Sequence, residues 1–211
     1  NIWKNTIELI KYPDLEYTHF NAIKKFLEKI PNDSIIHMSV LDAIRISNYL
    51  KMPNNVRCFA NIGADGIDGA LSTFLGQASK MNALYSKIPS NVRIIVINNF
   101  AGSEFYKNFG LERIKTLNKH IAAGHNTTME QLPALDDFKY LRAANDEELD
   151  NNLNIFMSKS DKPIILEIIT DANQDANKLK EFWKINKVIY GTLKTKVASK
   201  LSPKLKSNIK K

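Results

Sequence analysis

Two segments of this 211-residue sequence combine residue types that could hold a charged ligand. The first, residues 61–73, reads Asn-Ile-Gly-Ala-Asp-Gly-Ile-Asp-Gly-Ala-Leu-Ser-Thr and leads from a predicted strand into a predicted helix. Glycines let the backbone approach a ligand, and a helix N-terminus offers free N–H groups to a phosphate. The Gly-x-x-Gly-x-x-Gly spacing is not a dinucleotide-binding fingerprint. The residues alone therefore leave ligand binding and a tight structural turn equally open.

The second segment, residues 96–102, reads Val-Ile-Asn-Asn-Phe-Ala-Gly at the carboxyl end of a predicted buried strand. Ligands of open parallel sheets bind at that edge. The carboxamides of Asn98 and Asn99 are costly to bury unless they are hydrogen-bonded, and an amide oxygen is a suitable ligand for a hard cation. A β-turn built by the asparagine pair is the structural alternative.

The elements that must position these segments follow from the apolar pattern. Five almost continuously apolar runs predict strands at Ser34–Met38, Val56–Ala60, Val92–Asn98, Phe138–Arg142 and Pro163–Thr170. Helical patterns alternate with them at Tyr17–Lys29, Leu41–Lys51, Ile67–Ala78, Asp146–Met157 and Asp175–Lys187. This alternation predicts an α/β fold with a doubly wound, mostly parallel sheet covered by helices on both faces.

Composition excludes several functional classes. With 44% hydrophobic and 25% charged residues and a single cysteine, the chain has the balance of a soluble globular domain without a disulfide framework, which suits a cytoplasmic location. The net charge of +8 arises at the end of the chain, where residues 184–211 contain nine lysines and no acid. We expect this basic tail to be a solvated helix or to make weak contact with an anionic membrane surface. The neutral body and the scarcity of aromatic residues among these lysines, of which Tyr190 is the single one, argue against a nucleic-acid partner.

The two segments, in this order, resemble the diphosphate-binding C-terminal domain of thiamine-diphosphate-dependent enzymes. In particular they resemble the group named 2-succinyl-5-enolpyruvyl-6-hydroxy-3-cyclohexene-1-carboxylate synthase, or MenD. Its loop reads Asn-Arg-Gly-Ala-Ser-Gly-Ile-Asp-Gly, and residues 61–69 match it at seven of nine positions. The likeness extends over residues 17–170. It implies a thiamine-diphosphate fold, the cofactors thiamine diphosphate and Mg²⁺, and decarboxylation of a 2-oxo acid followed by carbon–carbon bond formation.

The resemblance also implies roles for individual residues. It assigns cofactor contacts to Ser39, Gly63, Asp65, Gly66, Ile67, Asn99 and Gly102. It assigns magnesium coordination to the Asn99 side chain and the Ala101 carbonyl. Ile67 would support the bent cofactor from below, with an ordinary core isoleucine as the alternative. The activating glutamate of these enzymes lies on a separate pyrimidine-binding domain, so no catalytic residue is assigned in this chain.

Two departures from the family pattern bear on function. The family's metal-binding Gly-Asp motif, which precedes the asparagine pair, is absent, and one helical pattern follows another directly at Lys80–Met81. We expect a segment to be missing between these two residues, with a natural deletion as the alternative. Two family arginines that bind substrate carboxylates correspond to Ile62 and Ala43. An apolar side chain cannot replace a bidentate carboxylate clamp, so the substrate is expected to differ from the menaquinone intermediates.

The predicted organisation is an incoming linker at residues 1–16, the diphosphate-binding domain at 17–183 and the basic tail at 184–211. We expect a fragment of a longer chain that is inactive alone and whose site is completed by the pyrimidine-binding domain of a neighbouring subunit, in a homodimer or homotetramer. The competing hypothesis is a non-catalytic interaction module of the same fold. Weaker candidates are His125, which could face substrate, and Glu104, the acid close to the asparagine pair, with a solvated carboxylate at a helix start as the alternative.

Overall fold

The computed structural model describes residues 8–63, 67, 69–78, 88–108, 110–131 and 137–200. Helices and strands alternate in the order α1 (His19–Lys29), β1 (Ile35–Met38), α2 (Asp42–Ser47), β2 (Arg57–Ala60), α3 (Ala70–Ala78), β3 (Arg93–Asn98), α4 (Glu104–Lys107), β4 (Lys139–Ala143), α5 (Asp146–Met157), β5 (Ile164–Ile169) and α6 (Ala172–Lys200). All five predicted strands and all five predicted helices are therefore present, with shifted ends. The junction of Lys80 and Met81 lies outside the described residues, so the missing segment stays a prediction.

The strands form two parallel sheets. In the first, β1 pairs with β2, with Ile35 opposite Arg57 and Met38 opposite Ala60. In the second, β5 lies between β3 and β4. The parallel α/β class is thus confirmed, but the described residues show two sheets where one doubly wound sheet was predicted. Among these residues β1 pairs only with β2 and β3 pairs only with β5, so no strand pairing joins the two sheets.

Helix α1 contributes to the hydrophobic cores of both sheets. The Thr18 hydroxyl caps it by accepting from the Asn21 N–H at 3.5 Å. Its Ala22 belongs to the cluster that contains Leu166 of β5, whereas Phe20 belongs to a second cluster with Phe182 of α6. Ile36 of β1 and Ile97 of β3 both pack against this second cluster. The shared core therefore holds the two sheets side by side.

The last helix, α6, is longer than predicted. It begins at Ala172 because the Asp171 carboxylate accepts from the N–H groups of Asn173 and Gln174, both at 2.9 Å. It continues to Lys200, so much of the predicted basic tail is helical. No described helix has the length and apolarity needed to cross a membrane.

Candidate functional site

The asparagine pair forms a strained double turn at the end of β3. The Asn98 Oδ1 accepts from the Phe100 N–H at 3.1 Å, and the Asn99 Oδ1 accepts from the Ala101 N–H at 3.3 Å. Phe100, which follows Asn99, has φ of 59°, in the left-handed region that non-glycine residues rarely adopt. The turn that was the structural alternative therefore exists, and it brings both asparagines to the carboxyl edge of the sheet.

A buried carboxylate holds Asn98 in place. Glu167 of β5 is fully buried and accepts from the Asn98 Nδ2 at 2.8 Å, from the Tyr140 hydroxyl at 2.6 Å and from the Met129 N–H at 3.1 Å. Burial, and then the nearby Glu167 carboxylate, raise the pKa of Tyr140 above its usual range. Asn98 is thereby fixed as a structural residue, whereas the Asn99 side chain contacts a different buried carboxylate, that of Asp175.

Asn99 is connected to a second buried network. Its Nδ2 lies 3.3 Å from the Oδ2 of Asp175, a fully buried residue of α6, and the Thr170 hydroxyl donates to the same oxygen at 2.7 Å. The other oxygen, Oδ1, accepts from the His19 N–H at 2.8 Å and lies 3.1 Å from the His19 Nδ1. The imidazole, which is 2% exposed, reaches Asp42 of α2 with its Nε2 at 3.5 Å.

The charges of this network perturb one another. Burial by itself lowers the pKa of His19, but the carboxylates of Asp175 and Asp42 more than offset it and raise the pKa to about 8. Both ring nitrogens lie at ion-pair distance from a carboxylate, although neither contact has good hydrogen-bond alignment. Burial raises the pKa of Asp42, whereas His19 and Lys107 lower it, and the net result lies well below the usual range. At neutral pH a cationic His19 thus lies between two carboxylates.

Asp42 also contacts the helix that follows the asparagine turn. Its carboxylate accepts from the Ser103 hydroxyl at 2.9 Å and from the ammonium of Lys107, a residue that is 4% exposed. Glu104 pairs with Lys107 at 2.7 Å and with Arg45 at 2.6 Å. The alternative of a solvated Glu104 is therefore wrong, because two cations neutralise a half-buried carboxylate. Sequence analysis missed this network because its pairs between helices, such as Asp42 with Lys107, join residues far apart in the chain, and the i,i+3 spacing of Glu104 and Lys107 is also common on solvated helices.

A cavity of about 180 Å³ opens beside the turn. Both predicted metal-binding residues border it, and so does His125, whose ring packs edge-on against Phe100 at 5.9 Å. The lining residues are Asn99, Phe100, Ala101, Tyr106, Asn118, His125, Thr170, Asp171, Ala172 and Asn173. The structure thus brings Asn99, Ala101 and His125 together at one opening.

The described residues provide part of a magnesium donor set. The oxygens of Asn99 and Ala101 are of the kind that hard cations prefer. The carboxylate in the cavity lining, Asp171, caps α6 through its Oδ1. No group of three histidine, cysteine, aspartate or glutamate side chains suited to a metal occurs in the described part of the chain. The two oxygens therefore fit Mg²⁺, and among the described residues the carboxylate that borders the cavity is the capping residue Asp171.

The glycine-rich segment leads from β2 into α3, as predicted. Asn61 Nδ2 donates to the Thr73 hydroxyl at 3.0 Å, which joins the start of the loop to the helix. Gly69 has φ of 77° just before α3, a conformation that favours glycine. The Ile67 side chain is 65% exposed, so the alternative of a core isoleucine is wrong for the described chain. Asp65 and Gly66 lie outside the described residues.

The remaining predicted residues have different surroundings. Gly63 is open, since a Cβ there would meet nothing within 4 Å, and Ser39 is exposed just after β1. Gly102 is packed: its N–H donates to the Ala122 carbonyl at 2.6 Å, and a Cβ would come within 3.2 Å of the Phe105 ring. Packing therefore explains this glycine, whereas Ser39 and Gly63 are accessible to a ligand.

Comparison with known proteins gives one consistent result. No family model matches the chain. The chain is 28% identical to the 2-succinyl-5-enolpyruvyl-6-hydroxy-3-cyclohexene-1-carboxylate synthase of Phocaeicola vulgatus and 27% identical to that of Bacteroides thetaiotaomicron, each over 86% of this chain and 36% of the relative. The synthase of Flavobacterium psychrophilum is 29% identical over 74% of this chain and 32% of its own length.

The chain spans about a third of the length of these curated relatives. The matched part of each relative corresponds to most of this chain. The resemblance predicted from the two motifs is therefore confirmed: this chain is similar, over most of its length, to synthases of the MenD group.

Proposed function

We propose that this chain is the diphosphate-binding domain of a thiamine-diphosphate- and Mg²⁺-dependent enzyme that decarboxylates a 2-oxo acid and forms a carbon–carbon bond. One observation carries the proposal: in a chain similar to MenD-type synthases over 86% of its length, Asn99 and Ala101 border the same cavity at the carboxyl edge of the sheet. Asn99 and the Ala101 carbonyl would hold Mg²⁺. The open Gly63 loop, the start of α3 and Ser39 would receive the diphosphate.

When bound, thiamine diphosphate supplies the electron sink for decarboxylation, and the protein supplies binding and orientation. Ile67 is exposed at the glycine loop and would support the cofactor in its reactive shape. The missing carboxylate ligand and the pyrimidine-binding domain would come from the rest of the intact protein, in which we propose a homodimer or homotetramer.

The proposal is tested by titrating the intact protein with thiamine diphosphate in a calorimeter. We expect binding with Mg²⁺ and loss of binding when EDTA removes the metal, because two phosphates at a helix N-terminus still need charge neutralisation. Binding of equal strength without a divalent ion would contradict the assigned role of Asn99 and Ala101.

The substrate is proposed from the two arginine positions. Ile62 is 58% exposed at the loop, and Ala43 lies in α2. Because both side chains are uncharged, neither position can pair with a substrate carboxylate. Arg45, the arginine nearest to Ala43 in sequence, pairs with Glu104 at 2.6 Å and is already neutralised. Each lost charge-assisted hydrogen bond costs roughly 1.5–3 kcal/mol, so two losses lower the affinity for a polycarboxylate on the order of a hundredfold or more.

We therefore propose a 2-oxo acid with an acceptor less anionic than isochorismate. The test measures carbon dioxide release by the intact enzyme with a panel of 2-oxo acids, each with and without isochorismate. Efficient turnover of 2-oxoglutarate with isochorismate would contradict this substrate assignment and leave the cofactor assignment intact.

The incomplete donor set favours a second candidate, a non-catalytic module of the same fold. In the described residues, the carboxylate in the lining of the cavity is engaged as the cap of α6. If the intact protein binds no thiamine diphosphate at millimolar Mg²⁺, the module is the better description. The sequence of the intact protein between Lys80 and Met81 gives a second criterion, because a Gly-Asp pair there would supply the missing carboxylate.

A further inference from the structure

Asp175 has a position that the proposed cofactor site does not by itself explain. It is a fully buried carboxylate on α6, and each of its oxygens has two contacts. Oδ1 faces the backbone N–H and ring of His19, whereas Oδ2 accepts from Thr170 and lies 3.3 Å from the Asn99 Nδ2. The carboxylate therefore connects the start of α1 directly to the asparagine turn.

The two ends of a carboxamide have nearly the same shape but opposite hydrogen-bonding character, because the nitrogen donates and the oxygen accepts. Asn99 has a carboxylate on one side and the Ala101 N–H on the other. A reversed amide would place its oxygen against the Asp175 carboxylate and its N–H₂ against a donor. Both contacts would then be repulsive, so one orientation is strongly favoured.

We propose that Asp175 is the positioning residue that fixes the Asn99 carboxamide with its Oδ1 away from α6, on the side of the Ala101 backbone. This inference rests on the proposed function for its consequence, namely that the oxygen is kept available to a divalent cation. It rests on geometry alone for the orientation itself.

Behind Asp175 lies a chain of charged and polar side chains. His19 faces it from α1, and the other ring nitrogen of His19 faces Asp42, which Lys107 of α4 and Ser103 contact in turn. The Asp175 carboxylate accepts from both Thr170 and Asn99 through the same oxygen. The substitution Asp175→Asn removes the charge and allows either amide orientation at Asn99.

The chain offers a matched control. Asp146 of α5 accepts from the Asn21 carboxamide at 3.0 Å, so the same aspartate–asparagine contact occurs on the opposite side of α1 from the cavity network. Asp146→Asn makes the same chemical change at a contact that does not involve Asn99. Asp175→Glu retains the charge beside His19 and serves as the conservative variant.

Two measurements on the intact protein test the inference. The first labels asparagine with ¹⁵N and follows the Asn99 side-chain amide by NMR, its signals being assigned by their loss in Asn99→Ser. We expect slow exchange of the two side-chain amide protons with solvent in the parent protein and in Asp146→Asn. In Asp175→Asn we expect this exchange with solvent to be at least tenfold faster. The second titrates Mn²⁺ in the presence of thiamine diphosphate. We expect about tenfold weaker Mn²⁺ binding in Asp175→Asn, an intermediate loss in Asp175→Glu, and no change in Asp146→Asn.

The two readouts separate the inference from the function on which it rests. Unchanged Asn99 amide exchange in a folded Asp175→Asn protein would overturn the inference. An intact parent protein that binds neither thiamine diphosphate nor Mn²⁺ would overturn the proposed function, while the amide exchange still decides the role of Asp175. Should Asp175→Asn not fold, the exchange measured in Asp175→Ser decides, because serine also removes the carboxylate in a smaller side chain: faster exchange supports the positioning role and unchanged exchange contradicts it.

Discussion

The two sheets differ sharply in how well they are covered. In the three-stranded part, formed by β3, β5, β4 and the helix α5, the central strand β5 is buried at five of six positions. In the two-stranded part, formed by β1, β2 and α3, strand β2 is exposed at three of four positions and α3 has no buried residue. Large apolar side chains of this part and its loop remain exposed: Ile35, Phe59, Ile62, Ile67 and Leu71.

An apolar sequence alone therefore does not determine whether a strand is buried. Both β2 and β5 follow the pattern of a strand that helices cover on both faces. Strand β5 has a neighbour on each side and α5 against the sheet, whereas β2 pairs with β1 alone among the described residues. Burial of the two-stranded part therefore depends on contacts beyond those that the described chain provides.

The largest expected effect compares the same substitution in the two parts. Phe156→Ala removes a ring that is 1% exposed beside β5, and we expect a loss of about 3–5 kcal/mol in the free energy of unfolding. Phe59→Ala removes a ring of β2 that is 42% exposed, and we expect a loss of about 1 kcal/mol or less. Denaturant unfolding of both variants measures the contrast. Equal losses would break the comparison, because they would show that Phe59 is covered in the intact protein.

The second prediction compares one candidate cofactor residue from each part. Asn99→Ala removes a proposed metal ligand, and we expect thiamine diphosphate to bind roughly 10–100-fold more weakly at fixed Mg²⁺, equivalent to about 1.5–3 kcal/mol. Ser39→Ala removes a neutral hydroxyl, and we expect a loss of no more than about tenfold. Calorimetric titration of both variants ranks them. A larger effect at Ser39 would move the anchoring of the diphosphate to the two-stranded part.

The third prediction concerns the connection between the two parts, where His19 lies between Asp42 and Asp175. The folded-state pKa of about 8 exceeds the unfolded value of 6.5. This raised pKa contributes stability that is fully present below pH 6.5 and is lost as pH rises through about 8. The shift corresponds to up to about 2 kcal/mol. Unfolding free energies measured from pH 6 to pH 9 should show this decline, and His19→Gln should flatten it. A decline of equal size in His19→Gln would assign the pH dependence to other groups.

The smallest expected effect concerns Ile67, on the exposed loop of the two-stranded part. Ile67→Ala should lower turnover by about tenfold, near 1.4 kcal/mol, and change cofactor affinity less, because the diphosphate supplies most of the anchoring while the side chain enforces orientation. Steady-state kinetics of the intact enzyme at saturating cofactor separate the two quantities. An unchanged rate would leave Ile67 without a role in orienting the cofactor.

The order and type of the main elements follow from the pattern of apolar residues along the chain. The apolar runs located all five strands to within two residues at either end, because continuous β-branched and aliphatic residues have few other stable uses in a soluble chain. The asparagine pair and the glycine loop were identified from local chemistry, and both occur at strand ends as expected. Helix ends were predicted less well. Helix α6 begins earlier than predicted because the Asp171 side chain caps it. Aspartate also occurs in loops where it caps no helix, so the residue type alone did not indicate this start.

Which polar residues meet depends on how the helices and strands pack in three dimensions. His19, Asp42, Asp175 and Lys107 come from four helices that are distant in sequence, and no spacing rule connects them. Glu167 is a charged residue in an apolar strand, and the sequence does not indicate its partners. In the folded chain it accepts hydrogen bonds from Asn98, Met129 and Tyr140. Local propensity acts over a few residues, whereas satisfying a buried charge depends on packing between elements, and packing is fixed only when the chain folds.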